Sequence, residues 1–402
     1  MKELVINCGS SSLKYTVFEM PEGKELCNGI FEQLTTDLPT FTHKLPDANG
    51  GMRKVKNKEA MSAQSDHADA IKVLVSTLTD EKLGVMSDIG EIKAVGHRVL
   101  HGGSKFSGSV KVTEAVKEAI KECIPLGPLH NPANLKGINA FEALLPGVPQ
   151  VAVFDTAFHQ TMPDYSYMYA LPYKYYEEDG IRRYGFHGTS HRYVSARCID
   201  LLGSPEHSRI VSCHLGNGSS ISAVVDGKCL DTTMGLTPLE GIMMGTRCGS
   251  VDPAIVTTVM KKYNLTPDEM DTVMNKKSGM LGITGDTSDN RTIEQRAKQG
   301  DARAKLVENM FCHQLVKYIG GFAAAMGGVD AVIFTGGIGE NNPQYRTRIA
   351  EKLAFLGVTI DEEKNALRGE EADITTPDSK VKLFVIPTNE ELMIARDTYD
   401  LI

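Results

Sequence analysis

Two arginines and an aspartate stand where α/β proteins usually build their sites, at the ends of short apolar strands. Residues 92–95 read as a strand that runs straight into Gly96-His97-Arg98, and residues 150–154 read as another, with Asp155 at its C-terminal end. Arg247 lies in Met244-Gly245-Thr246-Arg247-Cys248-Gly249, a glycine-flanked loop that offers a structural arginine little to pack on. A guanidinium fork matches carboxylate and phosphoryl oxygens, so the two arginines point to an anionic substrate. Surface ion pairing accounts for most arginines in proteins, and these loop settings weigh against it.

Three glycine-rich turns add a way to hold phosphate. Asn7-Cys8-Gly9-Ser10-Ser11-Ser12 with Lys14, and His214-Leu215-Gly216-Asn217-Gly218-Ser219-Ser220, each sit between two apolar strands. Such turns present backbone N–H groups and hydroxyls with no Cβ in the way. The two are copies of one plan about 205 residues apart, which suggests duplicated domains. Neither is G-x-x-x-x-G-K-[ST], no G-x-G-x-x-G follows a strand, and the protein-kinase marks are absent. The third cluster, residues 331–343, reads as strand, glycine loop and helix. Gly336, Gly337 and Gly339 would let a flat nucleoside lie on the backbone, with Asn342 as N-cap and Pro343 as first helical residue.

Histidines and one glutamate complete the candidates. His187 and His191 invite a metal reading, but with Thr189 or Ser190 capping the following helix, His187 falls in a loop and the rings need not share a face. His130, in Pro128-Leu129-His130-Asn131-Pro132, is ambiguous between hydrogen bonding and ligation. Thr388-Asn389-Glu390-Glu391 is a capping-box pattern, and Glu390 has two readings, a first-turn acid or a carboxylate within reach of hydrated Mg²⁺.

The elements that must position these groups alternate short apolar strands with helices, the sign of an α/β fold. Helices are predicted over 66–83, 113–123, 132–145 (N-capped by Asn131), 191–202 and 301–326. Residues 33–62 read as a turn-rich insertion or ribbon. Net charge is 43 − 51 = −8, so no global field attracts nucleic acid or an anionic membrane. No apolar run reaches about 20 residues, no secretory leader opens the chain, and eight scattered cysteines lack a C-x-x-C pair. The expectation is a cytoplasmic protein with neither nucleic-acid nor membrane partner. At 402 residues, 38 of them glycine, two or three tightly joined domains are expected.

Taken in order, these motifs resemble the acetate kinases. The resemblance spans nearly the whole chain: Asn7-Cys-Gly-Ser-Ser-Ser-Leu-Lys14, Gly96-His-Arg-Val-Leu-His-Gly-Gly103, Pro128-Leu-His-Asn-Pro132, Val153-Phe-Asp-Thr-Ala-Phe-His159, Arg183-Tyr-Gly-Phe-His-Gly-Thr-Ser-His191, His214-Leu-Gly-Asn-Gly218, Gly235-Leu-Thr-Pro-Leu-Glu-Gly241, Gly245-Thr-Arg247, Phe334-Thr-Gly-Gly-Ile-Gly-Glu-Asn341 and Thr388-Asn-Glu-Glu391. It implies two duplicated ribonuclease H-like domains of the actin-like ATPase type, flanking a nucleotide cleft. Their expected spans are 1–154 with 388–402 for the acetate side and 155–387 for the nucleotide. It also implies a homodimer and the reaction ATP + acetate ⇌ ADP + acetyl phosphate, with Mg²⁺, or Mn²⁺ as substitute.

Carried over by position, the resemblance makes Arg98 and Arg247 the holders of acetate and the transferring phosphoryl group, Asp155 an essential acid and His187 a transition-state stabiliser. Asn7 and Glu390 correspond to magnesium-site residues. Ser10, Ser12 and Lys14 match phosphate contacts. His214, Leu215, Gly216, Asn217, Gly218, Asp289, Asn290, Arg291, Gly337, Ile338, Gly339, Glu340 and Asn341 match nucleotide-binding segments. His130 and the apolar Leu100, Leu129, Phe186 and Pro238 match the acetate pocket. Relatives often have valine where this chain has Leu100, so a slightly smaller pocket is expected, favouring acetate over propionate. A propionate or butyrate kinase on the same core is the nearer rival. A nucleotide-gated chaperone or filament protein is the more distant one, and it would have no use for the Arg98, Arg247, Asp155 and His187 set.

Overall fold

A computed structural model gives the architecture and describes every residue except 48–50, 57–59 and 129. Leu4, Val5 and Ile6 form an unbroken apolar run because the strand they belong to, β1 (Lys2–Cys8), is covered on both faces. β1 continues into an antiparallel meander with β2 (Leu13–Glu19) and β3 (Lys24–Glu32), which extends to β4 (Thr40–Pro46) and β5 (Met52–Lys56). The polar stretch expected as a ribbon therefore holds a hairpin at the edge of the sheet. On the other side of β1 lie β6 (Ile92–Val99), parallel to it, then β8 (Gln150–Phe154), parallel to β6, and the short β7 (Val110–Lys111).

The second sheet repeats this plan. β9 (Arg209–Leu215), β10 (Ser219–Val225) and β11 (Lys228–Thr232) form the meander. β12 (Ala331–Thr335) runs parallel to β9, β14 (Lys382–Val385) parallel to β12, and β13 (Ala372–Asp373) closes the edge. The orders β3-β2-β1-β6-β8 and β11-β10-β9-β12-β14 are the same topology, so the echo between the two hairpins is a repeat of the fold. Their turns differ by one residue: residues 9–12 join Cys8 to Leu13 in one hairpin and residues 216–218 join Leu215 to Ser219 in the other.

Each sheet belongs to its own compact unit, Met1–Ala157 with Asn389–Ile402 for the first and Phe158–Thr388 for the second. In the first, one face of β1 packs Leu4 and Ile6 on helix His67–Leu78 and on Phe141, while Val5 meets Ile394 and Ala395 of helix Glu390–Leu401. In the second, Val211 and Cys213 pack on the long helix Ala302–Ala325, and Ile210 and Val224 pack on Val194 and Cys198 of helix Gly188–Leu201. The alternation along each strand sends successive residues to opposite layers. All eight cysteines are free thiols. Among the described residues no helix is long and apolar enough to cross a membrane.

Several predicted helix boundaries are corrected. The helix expected from 191 begins at Gly188, and its N-cap is His187, with φ 58° and no side-chain cap bond. Ser190 does not cap it because its hydroxyl is bonded to His214 Nδ1 at 2.8 Å. Asn131 is not an N-cap; helix Asn131–Leu144 starts after His130, and the Asn131 amide is used elsewhere. The helix expected over 66–83 stops at Leu78, where Asp80 instead accepts from the N–H groups of Lys82 and Leu83. Helix Glu390–Leu401 is capped by Asn389, whose side chain accepts from Leu392 N, rather than by Thr388. The glycine cluster after β12 is itself a short helix, Gly336–Asn341, and Asn342 and Pro343 start the next one as expected. The helices expected over 113–123 and 301–326 are found as Glu114–Glu122, capped by Thr113, and Ala302–Ala325, capped by Asp301.

One buried carboxyl carries no structural partner. Glu3 is 0% exposed, on the face of β1 that bears Val5, and neither of its oxygens is hydrogen-bonded. Burial, with Asp400 adding to it and the N-terminal ammonium opposing it, pushes its pKa from 4.5 up to about 7. An acid raised in the folded state destabilises it as pH rises through the window from the unfolded to the folded pKa. Wild type is therefore expected to lose on the order of 2–3 kcal/mol between pH 4.5 and 7 relative to Glu3→Gln. Urea melts of both proteins at the two pH values check this; parallel stability curves would contradict it.

Candidate active site

The first unit gathers charge at the carboxyl ends of β1, β6 and β8. Arg98, next to last in β6, grips Asp155 with both arms of its fork: Nε to Oδ1 at 2.9 Å and Nη2 to Oδ2 at 2.6 Å. Asp155 is completely buried, and its N–H donates to Val99 O at 3.0 Å. Burial alone would lower the Arg98 pKa, but Asp155, Glu390 and Glu391 more than offset it and push it up. Glu390 opens its helix beside this pair. Burial raises its pKa to about 7, Asp155 and Glu391 push the same way, and Arg98 and Lys14 pull back.

The loop after β6 is fixed by side chains that the sequence signals only as a motif. Asn134 Oδ1 accepts from Leu100 N at 3.1 Å, while its Nδ2 donates to Cys8 O at 2.8 Å. Asn131 Oδ1 accepts from His101 N, and its Nδ2 donates to the carbonyls of His101 and Ile120. Thr156 Oγ1 accepts from Gly102 N at 3.2 Å. Leu100 is thereby held buried, and His130 sits half-buried at the start of helix Asn131–Leu144. Leu129 lies outside the described residues. Asn7, next to last in β1, is half-buried, the turn carrying Ser10 and Ser12 is closed by Gly9 N to Ser12 O at 2.8 Å, and Lys14 is exposed on β2. Lys14 lines a cavity of about 340 Å³ with Lys44, Asn389 and Glu391.

The second unit holds a different set. Arg247 is half-buried, and its Nη1 reaches only Pro238 O at 3.1 Å and Met244 Sδ at 3.6 Å. Burial pulls its pKa down, and among the described residues no carboxylate pairs with it. His187 stacks on His214 with ring centres 4.2 Å apart, and its Nδ1 lies 2.9 Å from Ser220 Oγ. A Cβ at Gly218 would sit 3.4 Å from Arg247 Nη1 and 3.6 Å from the His187 ring, so the glycine leaves the space beside both groups open. Phe186 is buried next to His187. His187 and His191, whose rings the sequence did not require to share a face, both bond Ser220.

A cavity of about 610 Å³ opens in the same unit. Gly216, Asn217, Asp289, Asn290, Arg291, Gly337, Ile338 and Asn341 line it, all anticipated from sequence. Ser288, Glu294, Asn342 and Arg368 line it too, with no sequence signal for that role. His214, Leu215, Gly218, Gly339 and Glu340 do not. The Glu340 carboxylate accepts from Gly336 N at 2.8 Å and Thr388 N at 3.3 Å, so it braces the cradle. Arg346, 1% exposed, was invisible to sequence reading. It donates to the carbonyls of Gly339, Glu340, Asn365 and Leu367 and to Asn365 Oδ1, satisfying the last turn of helix Gly336–Asn341.

The model of the acetokinase family matches residues 2–396. The acetate kinase of Thermoanaerobacterium thermosaccharolyticum is 54% identical over 404 residues, covering 100% of this chain and 99% of that one. The crystal structure of Porphyromonas gingivalis acetate kinase superposes with a TM-score of 0.92 at 49% identity, covering 100% of this chain and 99% of that one. A propionate kinase from Francisella tularensis superposes with a TM-score of 0.92 at 42% identity, with complete coverage of both.

Proposed function

The chain belongs to the acetokinase family, and on that premise we propose that it transfers the terminal phosphoryl group of ATP to acetate, reversibly, giving ADP and acetyl phosphate. The observation that carries the reading is Arg247: a half-buried guanidinium with a carbonyl and a thioether for company needs an anion. A transferring phosphoryl group is such an anion, and its trigonal oxygens suit a planar fork.

Phosphoryl transfer runs through a loose, in-line transition state, so the protein's task is to position the ends and neutralise charge. Arg98 and Arg247 hold acetate and the phosphoryl group, and His187 donates to the equatorial oxygens. Lys14, with the hydroxyls of Ser10 and Ser12, meets the nucleotide phosphates, and the 610 Å³ cavity takes the nucleoside. By position in the family, Leu100, Phe186 and Pro238 are assigned to the acetate methyl and His130 to its carboxylate. Acetate, with a pKa close to that of Glu, is ionised at neutral pH, so no general base is required. Asp155 orients Arg98 through its paired bonds.

Asn7 and Glu390 would hold Mg²⁺. The donor chemistry fits: Glu390 is a carboxylate whose ionised form is disfavoured by burial and, after that, by the Asp155 and Glu391 charges, so a hydrated divalent cation would stabilise it. When bound, Mg²⁺ supplies charge neutralisation to the phosphates. A homodimer is part of the same reading. Helix Pro253–Tyr263 buries none of its residues in this chain and leaves Ile255 and Tyr263 exposed, as Tyr165 and Tyr173 are elsewhere in the unit. A monomer mass by light scattering would refute it.

Trapping acyl phosphate as the hydroxamate, with acetate, propionate and butyrate offered in turn, tests the reaction. ATP- and Mg²⁺-dependent product is expected, with acetate preferred; each methylene is worth about 1–3 kcal/mol in a pocket of this kind. Preference for propionate would move the protein to the rival substrate, and no product with any acid would end the kinase reading.

A further inference from the structure

Behind His187 lies a buried chain of hydroxyls and imidazoles that the reaction does not itself require. His191 is completely buried, one turn into helix Gly188–Leu201. Its Nδ1 lies 2.9 Å from Ser212 Oγ on β9 and its Nε2 2.7 Å from Ser220 Oγ on β10. The same Ser220 hydroxyl is 2.9 Å from His187 Nδ1. Burial, with His159 and His214 acting in the same direction, drives the His191 pKa well below 6.5, so the ring is neutral and carries one N–H.

Proton counting then gives the chain a direction. Ser220 has one hydroxyl proton for two ring nitrogens, so one nitrogen accepts and the other donates. Ser212 is 0% exposed and, among the described residues, its hydroxyl has no hydrogen-bond partner but His191. If His191 Nδ1 donated to Ser212, the Ser212 proton would be buried without an acceptor, a cost that folded proteins avoid. Ser212 therefore donates to His191 Nδ1, His191 Nε2–H donates to Ser220, and Ser220 donates to His187 Nδ1. A neutral His187 is left with its proton on Nε2.

We propose that Ser212, His191 and Ser220 act as positioning residues that hold neutral His187 in its Nε2–H tautomer, so that it meets the anionic oxygens of the transferring group as a donor rather than with a lone pair. The tautomer assignment stands on the hydrogen-bond chain; its use in catalysis rests on the phosphoryl-transfer reading above. The backbone helps: His187 sits at φ 58°, a conformation uncommon for a non-glycine residue, and its carbonyl accepts from His191 N at 2.9 Å, tying together the two histidines of the relay.

The test reads ¹⁵N imidazole shifts of His187 in the ligand-free protein, alongside kcat and KM. Wild type is expected to show Nε2–H and a bare Nδ1. Ser220→Ala should produce a tautomer mixture and lower kcat about five- to tenfold, the scale of one lost hydrogen bond, with KM values changed less than twofold. Ser220→Thr, which keeps the hydroxyl, should restore both. Ser212→Ala is the sharper probe: Ser212 is bonded to His191 and not to His187, so a shifted His187 tautomer in that variant must be transmitted through His191. A His187 signal unchanged in both alanine variants, or Nδ1–H in wild type, overturns the relay. Acyl phosphate formed by a wild type with Nδ1–H would refute the relay alone. No acyl phosphate alongside an Nε2–H signal would refute the phosphoryl-transfer reading and leave the tautomer assignment standing.

Discussion

Replacing Arg247 with alanine is expected to lower kcat by roughly 10²–10⁴-fold, the scale of removing one donor that stabilises developing charge. The magnitude follows from what the side chain lacks. Arg98 spends two of its donors on Asp155, whereas Arg247 meets only the Pro238 carbonyl and the Met244 sulfur. Its remaining N–H groups are available to a ligand, and burial makes an incoming anion worth more than it would be in water. The fold should tolerate the change, because the variant leaves no buried carboxylate stranded. Arg247→Lys should recover only part of the loss, since an ammonium cannot contact two oxygens with fixed spacing. Steady-state kinetics with both variants check this. A loss under tenfold for Arg247→Ala would remove Arg247 from the chemistry.

Asp155→Asn is expected to cost at least about 10²-fold in kcat/KM and to destabilise the first unit. Asparagine turns one of the two acceptors facing Arg98 into a donor and removes the buried countercharge of the pair. Breaking a fully buried ion pair typically costs about 3–5 kcal/mol, and less is expected here because the Arg98 side chain is 25% exposed and keeps Glu390 and Glu391 as countercharges. The pH dependence separates orientation from proton transfer. With acetate already ionised, no limb of the profile should vanish in the variant; loss of the Asp155 charge should only move the Glu390 titration to lower pH. Disappearance of an acid limb present in wild type would make Asp155 a base, and a kcat near wild type would show that it is not essential.

Both predictions start from residues that were legible in the chain because their local context was informative. Arg98 and Asp155 were found as charges at strand ends, and Arg247 as a cation between glycines. The α/β class and the repeated hairpin could be read because a strand buried on both faces must be apolar throughout and a tight turn between strands must be built from small residues. The pairing of Arg98 with Asp155 could not be read. It depends on β6 and β8 lying side by side in parallel register, with Arg98 opposite Val153, which brings together residues 57 apart in sequence.

Hydroxyl competition was equally hidden. Thr189 and Ser190 are good N-cap residue types, and local rules assign them that task. Ser190 instead bonds His214, 24 residues away, so His187 becomes the N-cap and the helix starts earlier. Asn131 was lost as a cap for the same reason, its amide being committed to the His101 loop. Arg346 gave no signal at all, because the carbonyls it satisfies come from two separate segments.

The sequence by itself determined the fold class, the repeat and which charged residues are candidates for chemistry, since those follow from side-chain type and from periodicities of a few residues. Only the tertiary structure decided which polar groups are paired, which cation is left for a ligand and which way the protons of the His191 chain point. A hydrogen bond is worth a partner at about 3 Å, and only the folded packing of distant segments determines which partner stands there.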